Sequence, residues 1–409
     1  MTHVLNFLNL PNEIIFVISQ FVSDRDRISL MKCCHRLQAF KHIFRFTTQI
    51  NTEKSKVINY YNSFLNIIVD DLSHPFPLAV KTIGFDVNFN RSVTNMIPIG
   101  VEKVAFRGKF NRSLQGDIPA TVTMVEFGGD FNQPINDTFP FGIQNISFGW
   151  DFNQDLGNAI PPSVLYLRFG DSFNRSIKGC IPSSVLYIEF GLRFEQSIKD
   201  VFPLGIEEIV FNGNFNRSIR NALPTSLKAI SFGWSFNKPL HNSLPHGLER
   251  LRFGHNFNQQ VDAAIPKTVK ELIFGYNFNQ RLKQLPPGIE KLVFGHDFDC
   301  TIHSVIPASV KYLEFGSRFN QPIKDCIPIK IETLIFGLEF NYPIAEAIPE
   351  SVQYIAFGYR FQQPISSIIG RVPKIMLHAD YGNHNKYKSC PSYRVIRLSI
   401  NLPDIPWRF

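Results

Sequence analysis

The sequence predicts an α+β protein: a small helical domain at the N-terminus, followed by a β-solenoid of about 14 coils of 21 residues each. Three observations lead there. The segment Phe127-Gly128-Gly129-Asp130-Phe131-Asn132-Gln133-Pro134-Ile135 recurs every 21 residues, its leading Phe falling at Phe85, Phe106, Phe127, Phe148, Phe169, Phe190, Phe211, Phe232, Phe253 and Phe274. One residue is lost between Phe278 and Pro286, and the series resumes through Phe294, Phe315, Phe336 and Phe357. A second Phe follows four residues later in all fourteen copies, so that two columns hold 28 of the 40 phenylalanines. The first 50 or so residues carry helical periodicity instead. A repeat of this length cannot bury its apolar face alone, so neighbouring coils must stack.

Four segments follow from these patterns: 1–48 helical, 49–75 linker and leading cap, 76–370 solenoid, and 371–409 closing cap and basic tail. The formal charge of +8 hints at nucleic acid until it is divided by region. Residues 1–75 carry 8 Lys/Arg against 6 Asp/Glu, 76–370 carry 27 against 26, and 371–409 carry 7 against 2. A near-neutral array lacks the basic stripe of a nucleic-acid solenoid, so nucleic acid is not an expected partner. No signal segment and no run of 18 apolar residues is present, so no membrane association is expected. The six cysteines, Cys33, Cys34, Cys180, Cys300, Cys326 and Cys390, lack metal-ligand spacing. Cys180 and Cys326 share a mostly small repeat column and read as fillers of a core gap. A reduced, cytoplasmic compartment fits.

The first ordered feature is Leu10-Pro11-Asn12-Glu13-Ile14-Ile15-Phe16-Val17-Ile18-Ser19-Gln20-Phe21-Val22. Pro11 suits a first helical turn, where its missing N–H costs nothing, and Glu13 favours the positive helix start. Ile14, Ile15, Ile18, Phe21 and Val22 recur at helical spacing. Ser23-Asp24-Arg25-Asp26 reads as a break and a new cap, after which Ile28, Leu30, Met31, Cys34 and Leu37 give a second amphipathic helix. Short helices of this kind need a partner or a neighbouring domain to cover them. The pattern over residues 8–48 resembles an F-box, with Leu37 where that family usually has Trp. The resemblance implies binding of a Skp-type adaptor of a cullin–RING ubiquitin ligase through Leu10, Pro11, Glu13, Ile14, Ile15, Ile18, Phe21, Ile28 and Leu30. Residues 49–75 read as polar, then helical over 56–69. Phe64 and Ile68 stand one period before Phe85 and Phe89, which predicts a degenerate leading coil.

One period reads Val-x-x-Leu-x-Phe-Gly-x-x-Phe-Asn-x-Pro-Ile-x-x-x-Ile-Pro-x-x. Residues two apart, such as Val104 and Phe106, share one face of a strand, with Lys103 and Ala105 on the other. This is similar to the strand half of a leucine-rich repeat. Gly follows the first Phe in 11 of 14 copies, which suits a bend where adjacent backbones approach closely. Asn follows the second Phe in 11 of 14, with Glu195, Asp299 and Gln362 the exceptions. Stacked Asn side chains are expected to bridge one coil's turn to the next. Proline fills one column from Pro77 to Pro349, which excludes helix on the return leg and predicts an extended, polyproline-like path. The motif Phe-Asn-x-Pro-Ile, as at Phe131–Ile135 and Phe319–Ile323, resembles the FNIP repeat. That family is found mainly in social amoebae and in giant viruses infecting amoebae, often behind an F-box.

Function is expected in the variable positions. Trp150, Tyr166, Arg168, Tyr187, Trp234, Arg250, Arg252, Tyr276, Tyr312, Tyr354 and Tyr359 stand on the expected concave strand face or just beyond the glycine. Tyr, Trp and Arg are the residue types that dominate interface energies, so this set is the candidate target-binding face. His255 and His296, one column two coils apart, sit about 10 Å apart by strand spacing, too far for one metal. No phosphate loop or nucleophile–base spacing appears, so neither enzyme activity nor a cofactor is expected. In the tail, His378 stands where Phe is due, and 393–402 alternates like a closing strand. The expected function is a non-enzymatic, cytoplasmic adaptor (host cytoplasm if viral) that holds a Skp-type adaptor/cullin complex at one end and an unknown protein target on the solenoid. A scaffolding solenoid with no ligase link is the competing class. A carbohydrate- or nucleic-acid-binding solenoid is a third, and would depend on the outward aromatics.

Overall fold

The computed structural model of the chain describes residues 11–33, 44–53, 58, 61–73, 75–241, 243–387, 390–391 and 393–396. They form two compact units, 1–164 and 165–409. The first opens with two helices, α1 (Asn12–Gln20) and α2 (Asp24–Cys33). Pro11 caps α1 in an extended conformation, its carbonyl accepting from the Ile14 and Ile15 amides. Ser23 caps α2: its Oγ accepts from the Asp26 amide and donates to the Asp26 carboxylate at 2.6 Å, a reciprocal arrangement like a capping box. Asp24, buried, accepts from the Thr47 and Thr48 hydroxyls and pairs with Arg27 at 2.7 Å. Arg27 also donates to the Ser19 and Arg45 carbonyls. One ion pair thus fastens both helices to the chain that enters the solenoid. The α+β description rests on the helical end, of which residues 1–10 and 34–43 lie outside the described residues. The solenoid itself is plain.

The first unit continues with strands β1 (Ile50–Asn51), β2 (Asn66–Val69), β3 (Thr82–Phe85), β4 (Lys103–Phe106), β5 (Met124–Phe127) and β6 (Asn145–Ser147). The second holds β7 (Tyr166–Arg168), β8 (Tyr187–Phe190), β9 (Glu208–Phe211), β10 (Ala229–Ser231), β11 (Arg250–Arg252), β12 (Glu271–Ile273), β13 (Lys291–Val293), β14 (Tyr312–Glu314), β15 (Thr333–Ile335), β16 (Tyr354–Ala356), β17 (Lys374–His378), a short helix α3 (His384–Tyr387) and β18 (Tyr393–Ile396). Within each unit successive strands pair in parallel, as Val104 with Val125 and Leu251 with Leu272. This is a leucine-rich-repeat-like parallel solenoid, one strand per coil.

The periodic columns form the core. Phe127 and Phe131 lie 4.0 Å apart within a coil, and each stacks on its copy in the next, Phe127 on Phe148 at 5.5 Å and Phe131 on Phe152 at 6.1 Å. All four are buried. The Asn column forms the expected ladder: the amides of Asn111, Asn132 and Asn153 donate to the side-chain oxygen of the Asn one coil earlier at 2.9–3.1 Å. Where Gln follows, as at Gln259, its Nε2 donates to the same oxygen. Only the acceptor is needed, so Asp299 serves equally, taking the Asn320 amide at 2.9 Å. At the bend, a Cβ on Gly254 would land on the Gly233 carbonyl, so close stacking of backbones requires glycine there.

Four expectations are corrected. The return leg is a pair of β-turns, not an extended path: the Val93 carbonyl accepts from Met96 at 2.9 Å and the Pro98 carbonyl from Val101 at 3.3 Å. Turns satisfy these backbone groups locally, which an extended leg would not. The first turn demands a left-handed residue, at Asn95 (φ 58°), Asp137 (φ 51°) and Ala263 (φ 58°) among others. Second, residues 66–69 are a strand, not a helix. Ile67 pairs with Ile83 and Val69 with Phe85, while Phe64 bridges and stacks on Phe46. Third, strand pairing already begins at Ile50, which pairs with Ile67, so the solenoid reaches into what reads as linker. Fourth, at the far end Met376 is in register with Ala356, which puts Leu377, not His378, in the Phe357 position. Tyr381 ends the second column, 6.1 Å from Phe361 with its hydroxyl donating to the Gln363 carbonyl. The described part of the closing strand, β18, pairs with β17 as expected, and 397–402 lie outside the described residues. The residue lost after Phe278 comes out of a return turn. Leu272 and Leu292 stay in register, and an open groove of about 1240 Å³ borders that corner.

Candidate interaction surface

The outward face of the second unit's strands carries three columns. The first runs Tyr166, Tyr187, Glu208, Ala229, Arg250, Glu271, Lys291, Tyr312, Thr333, Tyr354. The second, two residues on, runs Arg168, Glu189, Val210, Ser231, Arg252, Ile273, Val293, Glu314, Ile335. The third lies just past the glycine bend and includes Trp234, His255, Tyr276, His296 and Tyr359. Parallel strands in register bring equivalent positions side by side, so residues about 21 apart in sequence become neighbours.

Much of this face is already engaged. The Tyr187 hydroxyl donates to Glu189 at 2.7 Å, Asn212 Nδ2 donates to the same carboxylate at 2.7 Å, and Arg168 pairs with it at 3.2 Å. Burial, together with Glu189, pushes the Tyr187 phenol well above its ordinary range. Tyr312 repeats the arrangement, donating to Glu314 at 2.6 Å, and its phenol is pushed up for the same reasons. Burial raises the Glu314 carboxyl, partly offset by the Tyr312 hydrogen bond and by Lys291. Lys374 stands over the Tyr354 ring at 5.1 Å, and Tyr166 and Tyr187 rings lie 6.1 Å apart. Tyr359 meets His378 edge-on at 5.0 Å.

In the third column four rings stack in succession: Trp234 on His255 at 5.2 Å, His255 on Tyr276 at 4.5 Å, and Tyr276 on His296 at 4.2 Å, all within 6° of parallel. His255 and His296 therefore bracket Tyr276. Their Nδ1 atoms face Asn256 at 3.0 Å and Asp297 at 2.8 Å. Because the faces of His255 and Tyr276 are taken by their neighbours, they present edges and not platforms to a ligand. Such a ladder does not favour the carbohydrate reading.

The second column falls to a small residue at Ser231 and again at Ala356, but only in the coil of Ala229 and Ser231 are both columns small. A small cavity of about 240 Å³ opens there, lined among others by Glu208, Arg250, Arg252 and Glu271. Arg250 spans the Ala229 coil to reach Glu208 at 2.9 Å, and Glu271 pairs with Lys291 at 3.0 Å. Arg252, half-buried, has no ion pair or side-chain hydrogen bond among the described residues. Trp234, three positions after Ser231, is 51% exposed. Sequence reasoning picked out Trp234, Arg250 and Arg252. It missed Ala229, Ser231 and Glu208, whose signal was small or acidic residues breaking otherwise bulky columns. Trp150, also exposed, lies in the first unit.

The first unit holds a second feature that periodicity alone did not flag. The residue after each column proline is Leu78, Ile99, Ala120, Phe141 and Pro162 in five successive coils, and Leu78, Ile99 and Phe141 are 89%, 90% and 78% exposed. Among the proposed adaptor-binding residues, Leu10 lies outside the described residues and nothing is described of the Glu13 side chain. Pro11, Ile14 and Phe21 are exposed, with Val17 beside them, and Ile18, Ile28 and Leu30 are half-buried. Ile15 turns into the protein's own core, which leaves no surface for a partner.

Among the described residues no cluster of His, Cys, Asp or Glu could hold a metal, and no helix is long and apolar enough to cross a membrane. Burial pushes the Cys300 and Cys326 thiols up, with Asp299 and Asp325 adding to it, which makes them poor nucleophiles.

The FNIP Repeat profile matches residues 110–149, 131–170, 152–193, 194–235, 236–277, 278–318, 301–339 and 319–347, and the F-box domain profile matches 7–48. No curated protein matches the chain. Among solved structures it is similar to CroV588, described as a novel circular LRR protein, at 26% identity and a TM-score of 0.68, over 82% of this chain and 58% of that one. It is also similar to a chain of the Drosophila Toll–Spatzle complex, at 11% identity and TM-score 0.45 over 82% and 60% of the two chains. With YopM from Yersinia enterocolitica WA-314 the values are 14% and 0.34, over 74% and 81%. The chain thus spans 58% of the length of CroV588, whose likeness supports the leucine-rich-repeat-like solenoid. An F-box ahead of such repeats is the layout of a protein-interaction adaptor, and both kinds of module are typically non-enzymatic.

Proposed function

The chain belongs to the FNIP-repeat family and carries an F-box domain ahead of its repeats, and from this we propose that it is the substrate-recognition subunit of an SCF-type cullin–RING ubiquitin ligase. The order of the modules carries the reading. α1 presents Ile14, Val17 and Phe21 to solvent, Phe21 at 85% exposure. An uncovered apolar face on a short helix is what a partner helix needs. The Skp-type adaptor would seat on Pro11, Ile14, Ile18 and Phe21, with Ile28 and Leu30 behind them. The target would meet the outward face of the second unit, around Trp234, Arg250, Arg252 and Tyr276. The site of action is the cytoplasm, that of an amoebal host if the gene is viral, as the family's distribution implies.

The full chain is expected to capture a purified Skp-type adaptor, and Ile14→Asp with Phe21→Asp to abolish capture while the solenoid's melting temperature stays unchanged. An intact chain that captures no adaptor would leave the scaffolding reading in its place.

A further inference from the structure

We propose that the notch at Ala229–Ser231 takes one carboxylate side chain, Glu or Asp, from an extended segment of the target protein. The inference rests on the second unit's outward face being the target surface, and names the chemistry it selects.

The charges on this face are mostly spent on one another. Arg250 is held by Glu208, Glu271 by Lys291, and Arg168 by Glu189. Arg252 is the exception, and it lines the one place where the first two columns both drop to small side chains. A half-buried guanidinium without a partner is a costly arrangement unless something completes it. A planar carboxylate matches its fork with two parallel hydrogen bonds. The Ser231 hydroxyl on the adjacent strand can donate to the same group.

The charge of the walls decides which anion. Arg250 is neutralised by Glu208 and Glu271 by Lys291, so before a ligand enters the notch carries a single uncommitted positive charge, that of Arg252. One monoanion satisfies Arg252. A phosphoryl group carries close to two negative charges at neutral pH and would leave the surplus against Glu208 and Glu271. Trp234, past the glycine bend three residues on from Ser231 and half-exposed, would serve as an apolar anchor for a ligand residue flanking the acid.

The experiment presents the full chain with a peptide library of random flanks and a central Glu, Asp, Gln, Lys or phosphoserine. Wild type is expected to enrich Glu and Asp about tenfold over Gln, with the preference fading as salt screens it. Arg252→Ala should abolish the preference. Ala229→Leu should do so by filling the notch, without unfolding, since the same column holds Tyr, Arg and Lys in other coils. Arg318→Ala, an exposed arginine on another coil, should leave it intact. Enrichment without an acid, an acid preference that survives both variants, phosphoserine outranking Glu, or no enrichment at all would each overturn the proposal. Adaptor capture by the same preparation is scored separately, so a chain that binds the adaptor yet ignores acidic peptides loses only this inference.

Discussion

Asn237 supports the turn of the following coil through a single atom. Its side-chain oxygen accepts from the Asn258 amide at 3.0 Å and from Gln259 Nε2 at 3.0 Å. Asn237→Ala removes both bonds. At about 1 kcal/mol net for each neutral bond, the loss is about 2 kcal/mol, approaching 3 if the part-buried Asn258 amide finds no water. Asn237→Asp keeps the acceptor, and the chain already uses that substitution: Asp299 accepts from the Asn320 amide and Gln321 Nε2, both at 2.9 Å. The Asp variant should therefore stay within about 0.5 kcal/mol of wild type. Because a repeat array can unfold in parts, a urea midpoint should be read together with exchange of the Asn258 amide. Its protection is expected to fall about thirtyfold in the Ala variant, since 1.4 kcal/mol is a factor of ten. An Ala variant as stable as wild type, or an Asp variant as damaged as Ala, would refute the ladder's energetic role.

Three further outcomes are expected. Glu346, at φ 60°, bears the left-handed strain of a β-carbon, so Glu346→Gly should stabilise the fold by about 1 kcal/mol or less after the glycine's own entropy loss, seen as a higher melting temperature. Phe131→Ala opens a cavity between two stacked copies and should cost about 3–5 kcal/mol in a denaturation midpoint. Two carboxylates, buried Asp24 and half-buried Glu314, should titrate with opposite signs. Burial would raise Asp24, but hydrogen bonds from Thr48 and Thr47 outweigh it and hold the carboxyl below its ordinary value. Its contribution is complete above about pH 4 and is lost as pH falls through the folded-state value, so Asp24→Asn should destabilise at pH 7 and progressively less in acid. Glu314 is raised: its ionised form is disfavoured in the fold, so stability gains as pH drops from the folded value toward about 4.3. Glu314→Gln should erase that gain, as pH-dependent melting would record.

What was legible in the sequence was whatever each coil says to its own copy. Phe127 meets Phe148, the Asn237 oxygen meets Asn258, and Gly254 lies against Gly233, so every one of these requirements recurs at the period. The ends were harder because strand register is set by hydrogen bonds between strands, while surplus or missing residues go into the return turns. Ile67 pairs with Ile83 although they stand 16 residues apart, and Leu272 with Leu292 although they stand 20 apart. A period search therefore misassigned Phe64 and His378. The return turns do carry a signal, the run of Asn95, Gly116 and Asp137 in a single column, all residues tolerant of positive φ. On the candidate face the residue types were legible and their partnerships were not. Arg250 finds Glu208 across 42 positions, and the stacking of His255 and His296 on Tyr276 depends on coil geometry.

The same logic explains why recognition should be sought in what remains unpaired. An interior residue in a solenoid is bound by two neighbouring copies, so a change there must suit both coils at once. Outward residues escape that condition but acquire another, since side chains in adjacent coils lie close enough to neutralise one another. Lys228 with Glu207 at 2.6 Å, Lys270 with Glu249 at 3.3 Å and Lys311 with Glu290 at 3.4 Å form such a row. Exposed pairs of this kind add little stability, but they leave no strong field for a partner to read. Tyr187 and Tyr312 are bound in the same way by their own glutamates. A residue type favoured at interfaces is therefore a weak guide on this scaffold, because a side chain of its own strand or of the neighbouring coil is the first partner it meets. Arg252 is informative for the opposite reason. Its neighbours in the column are too small or too apolar to satisfy it, and no other described side chain takes up the charge it keeps.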